Sequence, residues 1–161
     1  MLLGIVADTH MPRGARRLPS RCVELLAASD LIIHAGDLST TAVLEELERL
    51  GPPVAAVHGN VDSAELRRRL PGERLVTAGR ARLALLHDAG PARGRLDRLR
   101  RRFPEAHAAV FGHSHQPLLE EAGGFQIFNP GSPTERRRQP RHTMGLAHVE
   151  GETIRFELIE L

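Results

Sequence analysis

Five short apolar runs in this chain stop abruptly at an aspartate, an asparagine or a histidine, and that repeated punctuation limits what the chain can fold into. The runs read LLGIVADTH, LIIHAGD, VAAVHGN, ARLALLH and AAVFGHSH, and three of them place glycine directly before the polar residue. The residues at these ends are Asp8 and His10, Asp37, Asn60, His87, and His113 with His115. Steps from Asp8 to Asp37, Asn60, His87 and His113 are 29, 23, 27 and 26 residues. Each step matches a strand, a crossover and the return to the sheet, so successive polar ends can reach one common edge. Glycine at such a point lets the backbone turn sharply or approach a neighbour closely.

Between these runs the pattern alternates. Leu2–Ala7, Leu31–His34 and Val54–His58 read as buried strands of a parallel sheet. Ser20–Ala28, a segment from Thr40 or Thr41 to Leu50, and a short arginine-rich stretch opened by Asp62 or Ser63 read as helices. Leu75–Ala78 and Ala81–His87 form a hairpin around Gly79, followed by a basic helix over Arg95–Phe103 and a strand over His107–Phe111. Phe125–Phe128, Met144–Glu150 and Thr153–Ile159 add strands at the end. No linker divides the 161 residues, which suit one domain spanning 1–161. The expected class is α/β, with two β-sheets packed together and helices outside.

Two carboxylates, an amide and four imidazoles make a mixed oxygen and nitrogen donor set that suits manganese, iron, cobalt, nickel or zinc. Seven donors exceed the needs of one tetrahedral ion but serve two ions that share a carboxylate. Two such ions form a clamp for displacement at phosphorus, with a metal-held hydroxide attacking. Composition removes competing schemes. All 22 basic residues are arginine, and tyrosine and tryptophan are absent. There is therefore no lysine nucleophile, no phosphate-loop lysine, no catalytic tyrosine, and no tyrosine or tryptophan platform for stacking on single-stranded nucleic acid. The single cysteine, Cys22, excludes an internal disulfide, and no apolar run is long enough to cross a bilayer. A cytoplasmic protein is expected.

Asp8-Thr9-His10, Gly36-Asp37, Gly59-Asn60, His87 and Gly112-His113-Ser114-His115 resemble, in order and spacing, the motifs of the calcineurin-like metallophosphoesterases. Asn129-Pro130-Gly131-Ser132 resembles a segment of the small bacterial and archaeal phosphodiesterase branch. The resemblance implies a four-layer sandwich of two mixed sheets between helices. It also implies that Asp8, His10 and His115 hold one metal, Asp37 bridges, and Asn60, His87 and His113 complete a second site. Asp37, Asn60 and His113 are the residues it places closest to the chemistry. Manganese is the implied ion, a small-molecule phosphodiester the implied substrate, and a homodimer or tetramer an implied assembly. Many larger members carry histidine after Gly-Asn, whereas this chain has Val61, which cannot donate a proton.

Alternatives differ in what they require. A phosphomonoesterase would use the same site. A protein-binding scaffold, as in the eukaryotic retromer subunit of this fold, departs from the active metal set that this chain keeps. Nucleic acid is expected at most as substrate. The runs Arg67–Arg69, Arg100–Arg102 and Arg136–Arg138 read as solvated surface, with Arg136 the one expected to reach the site. His34 and His58 read as packed histidines, and Asp62 as a helix cap or a contact to a ligand histidine.

Overall fold

A computed structural model describes residues 1–161. Ten strands form two five-stranded sheets. The first sheet has the order β10 (Thr153–Glu160), β9 (Thr143–Glu150), β1 (Leu2–Val6), β2 (Leu31–His34), β3 (Val54–Ala56). Strands β1, β2 and β3 are parallel, while β9 pairs antiparallel with both β1 and β10. The second sheet has the order β4 (Glu73–Ala78), β5 (Ala81–Leu86), β6 (Ala108–Val110), β8 (Phe125–Asn129), β7 (Leu118–Ala122). Its three inner strands are parallel and its two edge strands antiparallel.

Burial follows from strand alternation. Leu3, Ile5, Ile33, Leu83, Leu85 and Val110 point between the sheets, together with Phe128, which stacks on Phe156 at 4.6 Å between ring centroids. The outer face of the first sheet, carrying Val6, Ile32 and Ala56, is covered by α1 (Ser20–Ala27), α2 (Thr41–Glu48) and α3 (Ala64–Arg69) through Cys22, Leu26, Leu44, Leu47 and Leu66. The outer face of the second sheet, with Ala84, Leu86 and Ala109, is covered by Leu99 of α4 (Arg95–Arg102). The result is the expected four-layer α/β/β/α sandwich of two mixed sheets.

The sequence reading misses β7. Its Leu118-Leu119-Glu120-Glu121-Ala122 is a largely exposed edge strand without a clean apolar alternation. It exists because Gly123 and Gly124, both at positive φ, return the chain so that Leu118–Ala122 pairs with Phe125–Asn129. Ser63, one of the two residues expected to open α3, caps it: its Oγ accepts the Leu66 N–H at 3.2 Å. Asp62 does not cap the helix. Thr40 occupies the N-cap position of α2 but makes no capping hydrogen bond.

Candidate metal centre

Parallel strands β1, β2 and β3 of one sheet and β5 and β6 of the other end at the same edge of the sandwich. The polar residues beyond those ends converge there. His10 Nε2 lies 3.2 Å from His115 Nε2, 3.6 Å from Asp37 Oδ2 and 3.9 Å from Asp8 Oδ1. His115 Nε2 is 3.5 Å from Asp8 Oδ1, and His87 Nε2 is 3.2 Å from Asp37 Oδ2. Asn60 Oδ1 continues the series at 3.1 Å from His87 Nε2 and 3.0 Å from His113 Nδ1. All seven residues singled out from the sequence therefore meet at one place. Asp8, His10, Asp37, His87 and His115 are buried, while Asn60 and His113 face solvent.

The donor set fits a cation. Asp8, His10 and His115 offer one ligand atom each, all within 4.8 Å of one another, and Asp8, Asp37 and His87 form a second such group. Asp8 Oδ2 is buried and has no hydrogen-bond partner, which is costly for a carboxylate oxygen unless a positive charge faces it. Two histidine rings are also oriented as metal ligands are. His87 Nδ1–H donates to the Ala35 carbonyl at 2.8 Å and His115 Nδ1–H donates to the Glu135 carbonyl, so each Nε2 faces inward, that of His115 with its lone pair free and that of His87 hydrogen-bonded to Asp37.

Backbone geometry reinforces this convergence. Asp8, His10, Asp37, His113 and His115 all have φ between 46° and 69°, a left-handed region that non-glycine residues seldom occupy. Each ligand loop doubles back, so that a short side chain reaches the common edge. Gly59 is required for a different reason: a Cβ there would lie 2.0 Å from Asp37 Oδ1 and 2.6 Å from Asp37 N.

Burial and charge set the ionisation. Burial pushes Asp8 up to about 7, only partly opposed by the positive charge of His87. For Asp37, burial acts upward but is outweighed by the hydrogen bond from His87 and the Val61 N–H, so its pKa falls to about 2. His87 is correspondingly raised, because its hydrogen bond to Asp37 outweighs its own burial. Burial lowers His10, and takes His115 down to about 4. Near neutral pH both of these rings are neutral and carry a free lone pair.

Three features of the site escaped the sequence reading. Asp62 is buried and its carboxylate accepts the N–H groups of Asp37 (3.1 Å), Ser39 (2.6 Å) and Gly59 (2.7 Å), tying together the loops after β2 and β3. Glu135 lies beside His10, with Oε2 3.9 Å from its Nε2, and pairs through Oε1 with Arg16 at 3.2 Å. Arg137, not Arg136, turns toward the site: its Nη1 is 3.5 Å from the His113 carbonyl, whereas the Arg136 guanidinium donates to the Gln139 carbonyl. The 129–132 segment acts as a brace. Asn129 Nδ2 donates to the Gly112 carbonyl at 2.9 Å and Ser132 Oγ donates to the Asp8 carbonyl at 2.8 Å. His34 is a fully buried histidine whose pKa burial lowers to about 3. It accepts from the Gly36 N–H at 3.2 Å through Nδ1, which leaves the proton on Nε2, 3.1 Å from Thr9 Oγ1.

Comparison with known proteins agrees with this geometry. A probable metallophosphoesterase of Methanothermobacter thermautotrophicus is 37% identical over 161 residues, covering 99% of this chain and 92% of the relative. Among solved structures, Vps29 of Chaetomium thermophilum superposes with a TM-score of 0.82 at 20% identity, covering 99% of this chain and 97% of that one. An archaeal phosphodiesterase superposes with a TM-score of 0.75 at 21% identity, covering 99% and 100%. The two structural likenesses establish the fold. The calcineurin-like phosphoesterase superfamily domain matches residues 1–152, which takes in every strand end that meets at the metal centre. With a family match of that extent and a relative of that identity, the chain belongs to the calcineurin-like phosphoesterase superfamily.

Proposed function

We propose that the protein is a metal-dependent phosphodiesterase whose centre takes two divalent ions, manganese being the expected metal. The observation that carries this reading is the convergence of Asp8, His10, Asp37, Asn60, His87, His113 and His115, with an unpartnered buried oxygen on Asp8. Asp8, His10 and His115 would hold one ion, and Asn60, His87 and His113 the other. Asp37 would stand between them, and Asp8 is close enough to both groups to share that role. Bound there, the ions supply Lewis-acid stabilisation of phosphoryl charge and lower the pKa of water.

The chain's own residues do the rest. Buried carbonyls of Ala35 and Glu135 fix the tautomers of His87 and His115, so the ligand nitrogens are presented without rearrangement. Asn60 and His113 form the exposed rim, where a phosphoryl group enters from solvent. Val61 is 43% exposed at that rim and has no proton to give a departing alkoxide. Leaving groups that depart without protonation are therefore favoured.

The superposition with an archaeal phosphodiesterase supports the diester reading, and the one with Vps29 is the reason to test a protein-binding scaffold beside it. The complete donor set favours the enzyme. A metal-reconstituted activity panel of diesters, monoesters and cyclic nucleotides separates the readings. Metal-dependent diester hydrolysis, lost by at least a hundredfold in Asp37→Asn and His113→Ala, is the expected result. Hydrolysis that persists in both folded variants, or a preference for monoesters, would reverse the assignment.

A further inference from the structure

A groove of about 500 Å³ opens from Asn60, His87 and His113, the exposed side of the metal centre. Leu86 is its one hydrophobic lining residue. Its lining has no phenylalanine, tyrosine or tryptophan, so a lipid tail finds no apolar wall there, whereas a base can stack only on imidazole or guanidinium faces such as those of His58 and His113. Beyond Asn60, His87 and His113, the groove's polar lining comes from five elements of the fold or the loops that follow them. Arg102 of α4 is bonded to Glu73 of β4, so those two charges cancel. Asp88, just after β5, has Oδ1 occupied by the Gly90 N–H at 2.8 Å. His58 follows β3, with Nδ1 3.4 Å from the Gly59 carbonyl.

Arg67 of α3 is different. Its Nε donates to the Asp62 carbonyl at 3.0 Å and its Nη2 to the Asn60 carbonyl, both neutral acceptors. The guanidinium is thus held in place without being neutralised, and three of its five N–H donors remain. Its neighbours in the arginine run do not share this. Arg69 pairs with Glu45 at 3.8 Å on the surface, and Arg68 is exposed. A fixed, uncompensated guanidinium with free parallel N–H groups is a pre-organised receptor for a phosphate. The same Asn60 whose carbonyl holds Arg67 presents its side-chain oxygen to His87 and His113.

We propose that Arg67 anchors a second phosphate of the substrate, so that the natural substrates are nucleotide-type phosphodiesters carrying another phosphate near the scissile one. This rests on the phosphodiesterase reading and narrows it to a substrate class.

Two substrates that differ by one group test it: thymidine 5′-(p-nitrophenyl phosphate) with and without a 3′-phosphate. In the metal-reconstituted protein, KM for the 3′-phosphorylated diester should be lower by about tenfold, the worth of one partly exposed charge-assisted pair. Arg67→Gln should collapse that ratio to below about twofold, Arg67→Lys should restore part of it, and Arg102→Gln should retain it. Taking the ratio cancels any general effect of loosening the Asn60 loop. Equal KM values in the wild type, or a preference that survives Arg67→Gln, would overturn the proposal. Calorimetric titration with adenosine 3′,5′-bisphosphate against adenosine 5′-monophosphate decides the same point without turnover. If neither diester is hydrolysed, the phosphodiesterase reading fails. Bisphosphate selectivity that depends on Arg67 would then still support the anchor, and equal affinities would refute it.

Discussion

Asp8 and Asp37 face the same centre, yet their environments drive their protons in opposite directions. Asp8 is raised from 3.8 to about 7 in the folded protein, so the native state holds a proton that the unfolded chain has released. Metal-free stability from this group is fully present below about pH 4 and is lost as pH rises to about 7. Asp37, lowered to about 2, contributes stability above about pH 4 that is lost as pH falls toward 2. For Asp8 the effect amounts to at most about 4 kcal/mol. Asp8→Asn should therefore raise the melting temperature of the EDTA-treated protein at pH 8, with the gain vanishing near pH 4, while weakening metal binding by more than tenfold. A variant destabilised equally at both pH values would contradict this account. Val61 bears on turnover: activated aryl diesters should be hydrolysed faster than alkyl diesters, and Val61→His should narrow the gap. Equal rates on both, with chemistry rate-limiting, would remove Val61 from the explanation. Cys22 has no part in the chemistry; burial pushes its thiol up to about 12. It should resist alkylation until the chain unfolds.

The elements carry the ligands, and two residues keep neighbouring loops in register. Asp62 gathers three N–H groups from the loops that bear Asp37 and Asn60. Asp62→Ala leaves those donors buried without an acceptor, which should cost about 2–4 kcal/mol in a denaturant titration and weaken the metal site with it. Gly59→Ala would force Asp37 aside, since no backbone relaxation short of moving that loop admits a Cβ at 2.0 Å. It should lower metal affinity by at least tenfold, measured by titration of the metal-free protein. The difference in legibility between these residues has a physical basis. Strands β1, β2, β3, β5 and β6 could be read because each is a buried apolar run that ends in a short polar motif, and the ligands sit on those ends. Asp62 and Glu135 could not, because their roles depend on which backbone groups arrive beside them after the sheets have closed. Strand β7 was hidden because an edge strand needs no apolar alternation; the Gly123-Gly124 pair was the signal available for it. Arg67 was lost within a run of three arginines whose side chains face different ways.

At the scale of the molecule, the centre belongs to both sheets. Asp8, Asp37 and Asn60 follow strands of one sheet, and His87 and His113 follow strands of the other. A metal held there would therefore fasten one sheet to the other. Ions at a hundredfold excess over Kd should add about 2.7 kcal/mol for each site, or about 5–10 °C in melting temperature for a chain of this size. Replacing Phe128, which packs between the sheets against Phe156, with alanine should cost about 3–5 kcal/mol. Because both sheets carry ligands, that variant should lose metal-dependent stabilisation together with fold stability. The five left-handed ligand residues give this dependence a further meaning. At about 1 kcal/mol each, their combined backbone strain is about 5 kcal/mol, comparable with the whole net stability of an ordinary domain. Strain of that size is held by the packed sandwich around the loops and not by the loops themselves. Substituting glycine or asparagine at one of these positions should release part of that strain, so the metal-free protein should gain melting temperature while its affinity for metal falls.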